Sequence, residues 1–145
     1  MYTFKHSVFI NRPVQEVWEF VSDLTNHPQF GSMATVERSS DGPPGVGSTY
    51  RSVSRFLGRT IESTSETTGW EPPNKFSSKS VEGPIAFQDQ WEFADEDSGT
   101  LVTLSGEAEM GGFFKIAEGI VGKQIDKQIT TDLGALKLML ETDAA

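Results

Sequence analysis

The residues best placed for chemistry lie in one short run. In the segment after Gly83-Pro84, Phe87, Asp89, Trp91 and Phe93 alternate with Gln88, Gln90 and Glu92. A β-strand therefore puts the Asp89 carboxylate on one face with three aromatic rings. If that face points inward, desolvation raises the Asp89 pKa towards the range useful to a general acid or base. If Asp89 sits at a strand end, or a bulge near Gly83 rotates it outward, it is an ordinary surface carboxylate.

Serines repeat the pattern. Tyr50, Ser52, Ser54 and Phe56 share one strand face; Ile61, Ser63, Ser65 and Thr67 share a second; Phe76, Ser78 and Ser80 share a third. Small hydroxyls in phase with rings leave volume unfilled and need partners when buried, which suits a wet or ligand-filled cavity. The alternative is a half-exposed sheet whose serines face water.

Other chemistries find little support. The chain has no Cys, which removes thiol nucleophiles, disulfides and thiolate zinc sites. His6 and His27 have no companions at ligand spacing, and structural or surface roles are expected for both. The acidic run Asp95-Glu96-Asp97 lacks the spacing of a calcium loop and reads as a solvated hairpin tip. Gly31-Ser32-Met33 lacks the second glycine of a nucleophile elbow, and Gly42 to Gly47 lacks the lysine of a phosphate loop. No metal, nucleotide or other cofactor is expected. Arg51 and Arg55 fall on the face opposite Tyr50, where cross-strand Glu62 and Glu66 can pair with them.

The elements that must position these residues follow from turn signals and periodicity. Tyr2 to Ile10 alternates as a strand with a buried face. Pro13 suits a helix start, and Val14, Val17, Trp18 and Val21 recur at helical spacing. Ser22-Asp23 interrupts that pattern, and a second short helical turn is predicted to end by Phe30. From residue 33 to about 110, closely spaced Gly and Pro clusters separate strand-length segments rich in Thr, Ser, Val, Phe and Tyr. This predicts an antiparallel meander with no room for crossover helices. Ala117, Val121, Ile125, Ile129, Leu133, Leu136 and Leu140 then mark one long amphipathic helix over residues 113 to 141. Its other face, with Glu118, Lys123, Asp126, Lys127 and Lys137, is expected in solvent. The fold class is α+β, with the last helix packed across the sheet.

With 145 residues, the chain is expected to form one domain over residues 1–142, large enough for a core without staples. The net charge of -9 marks an acidic protein whose field repels nucleic acid and anionic lipid. No apolar run approaches the roughly 18 residues of a membrane span, and Lys5, His6, Asn11 and Arg12 break any signal-peptide core before Pro13. A cytoplasmic protein, monomer or homodimer, without stable membrane insertion is expected.

In this order of elements, several segments resemble a known family. They are Phe9 to Pro28, with Asn11-Arg12-Pro13, Val17-Trp18 and His27-Pro28; Gly45-Val46-Gly47-Ser48-Thr49-Tyr50; Leu57-Gly58-Arg59-Thr60-Ile61-Glu62; Trp70-Glu71-Pro72-Pro73; Trp91-Glu92-Phe93; and Gly99-Thr100-Leu101-Val102-Thr103. Together they resemble the START-like (SRPBCC) superfamily of polyketide cyclase/dehydratase-related and lipid-carrier proteins. The resemblance implies a helix-grip fold, in which a curved antiparallel sheet wraps the C-terminal helix and leaves a cavity. It implies no single activity, since that superfamily holds aromatase/cyclases, lipid and hormone carriers, quinone-binding proteins and chaperone activators. The matching motifs carry no catalytic set.

The reading that follows is a cavity binding a small apolar ligand, whether aromatic, polyketide-like or lipid-like. Phe30, Tyr50, Phe56, Phe76, Phe87, Trp91, Phe113 and Ile120 would supply surface, with Ser78, Asp89 and Gln124 as polar contacts. One alternative is a cyclase or dehydratase in which Asp89 acts as general acid/base and Tyr50 donates to an enolate oxygen. Another is a protein-interaction module of the chaperone-activator type, using the acidic surface.

Overall fold

The computed structural model describes residues 2–31, 33–56, 58–110 and 118–142. Strand β1 (Tyr2–Ile10) leads to helix α1 (Val14–Val21), a short 3-10 helix (Leu24–Gln29) and strand β2 (Met33–Arg38). Five further strands follow: β3 (Thr49–Phe56), β4 (Arg59–Glu71), β5 (Lys75–Glu82), β6 (Ile85–Glu96) and β7 (Gly99–Met110). Helix α2 (Glu118–Thr142) completes the chain. The strands form one seven-stranded sheet in the order β1-β7-β6-β5-β4-β3-β2, with every neighbouring pair antiparallel. The meander runs from Met33 to Met110, as its turn signals require, and β1 returns to pair with β7 and complete the sheet.

Local sequence explains the joints. The Pro13 carbonyl accepts from the Glu16 and Val17 amides, so the proline caps α1 instead of occupying its first turn. Asp23 accepts from the Thr25 amide and hydroxyl, which caps the 3-10 turn after the break at Ser22. The β6–β7 hairpin closes over Asp97 and Ser98, both with positive φ (48° and 68°), the backbone of a two-residue turn matched to strand twist. Asp95, Glu96 and Asp97 are exposed at this tip, as expected. Register shifts in β2 and β4 mark bulges, which bend a sheet and increase its twist. Gly106 is demanded by packing, since a Cβ there would stand 2.2 Å from the Gln88 carbonyl oxygen and 2.9 Å from the Phe4 ring.

Helix α2 meets the sheet near both of its ends. Near its start, Val121 packs with Ile61 of β4, beside Tyr2, Ile85 and Ile125. Near its end, Leu133, Leu136 and Leu140 join the main core with Ile10, Phe76, Trp91, Phe93 and Val102. Helix α1 closes the same end by inserting Trp18 edge-on against Trp70, Phe76 and Phe93, at 5.1–5.7 Å between ring centroids. Part of the aromatic face of β6 is therefore committed to α1: Phe93 belongs to this cluster and not to the space beneath α2.

Two expectations about α2 need correction. Ile120 is 68% exposed, because it lies one position off the buried stripe that begins at Val121. Asp126 and Lys137, assigned above to the solvated face, instead tie α2 to β1. Asp126 accepts from the Tyr2 hydroxyl and bonds His6 Nε2 at 2.6 Å, and Lys137 Nζ donates to the Phe9 carbonyl at 2.6 Å and to Glu141 at 2.8 Å. Gly122 leaves room for the Tyr2 ring in this seam. Arg12 adds a C-terminal cap, donating from Nε to the Leu140 carbonyl and from a terminal nitrogen to that of Glu141. The expected helix start at residue 113 lies outside the described residues. No helix among the described residues is long and apolar enough to cross a membrane.

Candidate functional site

Between the two anchored ends of α2 the helix and sheet part, leaving a partly open cavity of about 290 Å³. The helix contributes Ile125, Gln128, Ile129, Asp132 and Leu133 to its wall, and the 3-10 segment contributes Leu24, His27 and Phe30. The strands present their alternate positions: Tyr50, Ser52 and Ser54 from β3; Ile61, Ser63 and Ser65 from β4; Phe76 and Ser78 from β5; and Phe87, Asp89 and Trp91 from β6. The three serine-bearing faces identified by phase thus meet around one space, except for Thr67 and for Ser80, which are not in the lining; the Ser80 hydroxyl accepts from the Phe87 amide instead. The period of two supplies the selection, since Arg51 and Glu62, one step out of phase, pair at 3.2 Å on the exposed side.

Asp89 sits in the cavity wall opposite Ser78 in register, and Ser78 Oγ donates to its Oδ1 at 2.7 Å. Burial among apolar groups pushes the Asp89 carboxyl up to about 6, against the lowering effect of that bond. Asp89 is half-buried and is one of the residues lining the cavity. Burial also raises the Tyr50 phenol above its ordinary value, opposed by the positive charge of Arg38. On the wall of α2, Gln128 Nε2 donates to Asp132 at 2.8 Å. Ser52 and Ser63 share a hydrogen bond of 3.0 Å across β3 and β4.

His27 lines the cavity as well, although its position before Pro28 pointed to a structural or surface role. Its ring stacks at a tilt on Phe30 (5.1 Å) and edge-on to Trp91 (5.5 Å). Nε2 donates to the Val21 carbonyl at 2.8 Å, and burial holds the pKa below its usual value. The imidazole is therefore neutral near pH 7, in the tautomer with hydrogen on Nε2. A 3-10 turn with a proline inside it can aim a side chain inward as readily as outward, and nothing local to His27 distinguishes the two.

Of the residues singled out from sequence, Phe30, Tyr50, Phe76, Ser78, Phe87, Asp89 and Trp91 are brought together on this cavity. Ile120 is turned to solvent, and Gln124, one turn before Gln128, is not among the lining residues. The side chain of Phe56 and all of Phe113 lie outside the described residues. Sequence reasoning missed Gln128 and Asp132, which occupy the cavity-facing side of α2 between Ile125 and Leu133. A helical projection centred on Ile129 places both near that stripe, and this position was the signal that could have found them. Among the described residues no group of three or more His, Cys, Asp and Glu is arranged to hold a metal ion.

Comparison with solved structures reproduces this architecture over almost the whole chain. The protein TTHA0849 from Thermus thermophilus superposes with a TM-score of 0.86 at 20% identity, covering 99% of both chains. The Zhui aromatase/cyclase from Streptomyces sp. R1128 gives 0.80 at 17% identity, covering 99% of this chain and 95% of that one. A START superfamily protein from Mycobacterium smegmatis gives 0.76 at 13% identity, covering 97% and 99%. At such identities the likeness shows the shared helix-grip fold and no more. No curated protein shows a significant match in sequence. Residues 1–141 do match the family described as polyketide cyclase / dehydrase and lipid transport, and with that match spanning nearly every element that builds the cavity, the chain belongs to this family.

Proposed function

We propose that the protein binds a small, largely apolar ligand, aromatic or lipid-like, in the cavity between the sheet and α2. The observation that carries this reading is that serines occupy inward positions where a close-packed interior would place larger apolar side chains. Rings from Phe30, Phe76, Phe87 and Trp91 supply apolar contact, and a few hydroxyls and carboxyls supply orientation. That is the usual composition of a small-molecule site. The family's description, which includes lipid transport, supports the same reading.

The test uses N-phenyl-1-naphthylamine, a neutral dye that brightens in apolar surroundings, with Ser65→Phe as the plugged variant. Ser65 lines the cavity and is not part of the Ser78–Asp89 bond. The expected result is saturable dye uptake by the wild type, loss of uptake in Ser65→Phe, and retained stability because the added ring enters open space. Absence of uptake by the wild type, with an overpacking loss of about 1–3 kcal/mol in Ser65→Phe, would overturn the reading and return attention to the acidic surface as a protein-binding face.

A second reading is supported by Asp89 itself. A carboxyl with a pKa of about 6, facing an apolar cavity that also holds the Tyr50 phenol, suits proton transfer to and from a bound carbonyl compound. In that case Asp89→Asn abolishes turnover of a poly-β-keto substrate while leaving its affinity in place.

A further inference from the structure

We propose that the ligand of this cavity carries a protonated amine, seated on the Asp89 carboxylate between the rings of Phe87 and Trp91. The inference rests on the ligand-binding reading and specifies the charge of the ligand's head. It starts from the inventory of charged groups in the wall. Among the described lining residues there is no Lys or Arg, and the ionisable ones are His27, Tyr50, Asp89 and Asp132. The neutral His27 ring already spends its N–H on the Val21 carbonyl. Among the described lining residues a carboxylate or phosphate head would meet no countercharge and would be repelled by the Asp89 carboxylate; Arg38, whose charge acts on Tyr50, is not one of those lining residues.

The same wall fits a cation. Asp89 accepts a described hydrogen bond from Ser78 alone, and a carboxylate has room for several. Phe87 and Trp91 stand two residues to either side of it on the same strand face, so an ammonium at Asp89 would lie beside two ring systems. Ser63 and Ser65 add hydroxyl oxygens able to accept further N–H bonds. The net charge of -9 draws cations towards the protein as a whole. Apolar surface from Phe30, Phe76 and Leu133 leaves the rest of the ligand hydrophobic. An arylalkylamine matches this combination.

Three probes sharing one skeleton separate head-group charge from apolar fit: 2-(2-naphthyl)ethylamine, 2-(2-naphthyl)ethanol and 2-naphthylacetate. Each is titrated against bound N-phenyl-1-naphthylamine at pH 7.5. The amine is expected to bind about tenfold more tightly than the alcohol, with the carboxylate weakest. In Asp89→Asn the amine should lose that advantage while the alcohol binds as before, which also reports that the variant is folded. Should the variant not fold, the wild-type order of amine and carboxylate decides. A carboxylate that matches the amine, an advantage that survives Asp89→Asn, or dye that none of the three displaces would each overturn the amine assignment and leave the cavity reading standing. If the dye itself does not bind, both fall together.

Discussion

Ser78 and Asp89 stand directly opposite each other on β5 and β6, and the Ser78 hydroxyl donates to the Asp89 carboxyl at 2.7 Å inside the cavity wall. One neutral donor does not compensate a carboxylate taken out of water, which is why burial dominates and the pKa rises from 3.8 to about 6.

That shift fixes the sign of a pH dependence. The folded protein holds the Asp89 proton more tightly than the unfolded chain does, so the associated stability is complete below pH 3.8 and is lost as pH rises through about 6. At about 1.4 kcal/mol per unit of pKa, this contribution falls by roughly 1–1.5 kcal/mol between pH 5 and 7.5. Asn keeps an acceptor for Ser78 and does not titrate. Denaturant titrations at the two pH values should therefore show Asp89→Asn gaining on the wild type at pH 7.5. An unchanged difference would mean that Asp89 is solvated in the folded state.

Helix α2 offers a graded series. Leu136 is fully buried in the core, Ile129 borders the cavity, and Ile120 is exposed. Leu136→Ala is expected to cost about 2–5 kcal/mol, the range for a new cavity in close packing. Ile129→Ala should cost less than Leu136→Ala, since one side of Ile129 already faces open space. Ile120→Ala should fall within about 0.5 kcal/mol of the wild type. Equal losses at Leu136 and Ile129 in urea titration would show the cavity to be collapsed in solution.

Gly106→Ala places a methyl 2.2 Å from the main-chain oxygen of Gln88, which cannot swing aside as a side chain would. The loss should reach the upper end of the overpacking range of about 1–3 kcal/mol, or exceed it. Thermal unfolding provides the measurement, and a melting temperature equal to that of the wild type would contradict the close approach of β7 to β6 and Phe4.

Arg12→Ala removes two hydrogen bonds to the carbonyls of Leu140 and Glu141 at the end of α2. A cost of about 1–2 kcal/mol is expected for charged donors on a partly exposed helix end. Amide exchange should accelerate in the last turn of α2 and remain slow at Val121. Uniform acceleration along the helix would instead mean that Arg12 supports the whole fold.

The Asp89 strand shows how much the sequence determined by itself. Alternation from Phe87 to Phe93 established a common face, and the same period of two selected Tyr50, Ser52, Ser54, Ser63, Ser65 and Ser78, all of which line one cavity. Strand geometry makes such facing a local property, readable without knowing the partner strand. The order of elements was legible for a related reason, since Gly and Pro turns and the repeat of Val121, Leu133, Leu136 and Leu140 are set by backbone sterics and by burial of one helical stripe. Only tertiary structure decided what each face met. Phe93 shares its strand face with Trp91, yet the insertion of Trp18 from α1 takes Phe93 into the aromatic core and leaves Trp91 beside His27 at the cavity. Asp126 and Asp132 lie on the same helix, yet one reaches Tyr2 and His6 on β1 while the other lines the cavity with Gln128. Their separation depends on where α2 crosses the sheet, a relationship between residues more than a hundred positions apart in the chain, and no local period encodes it.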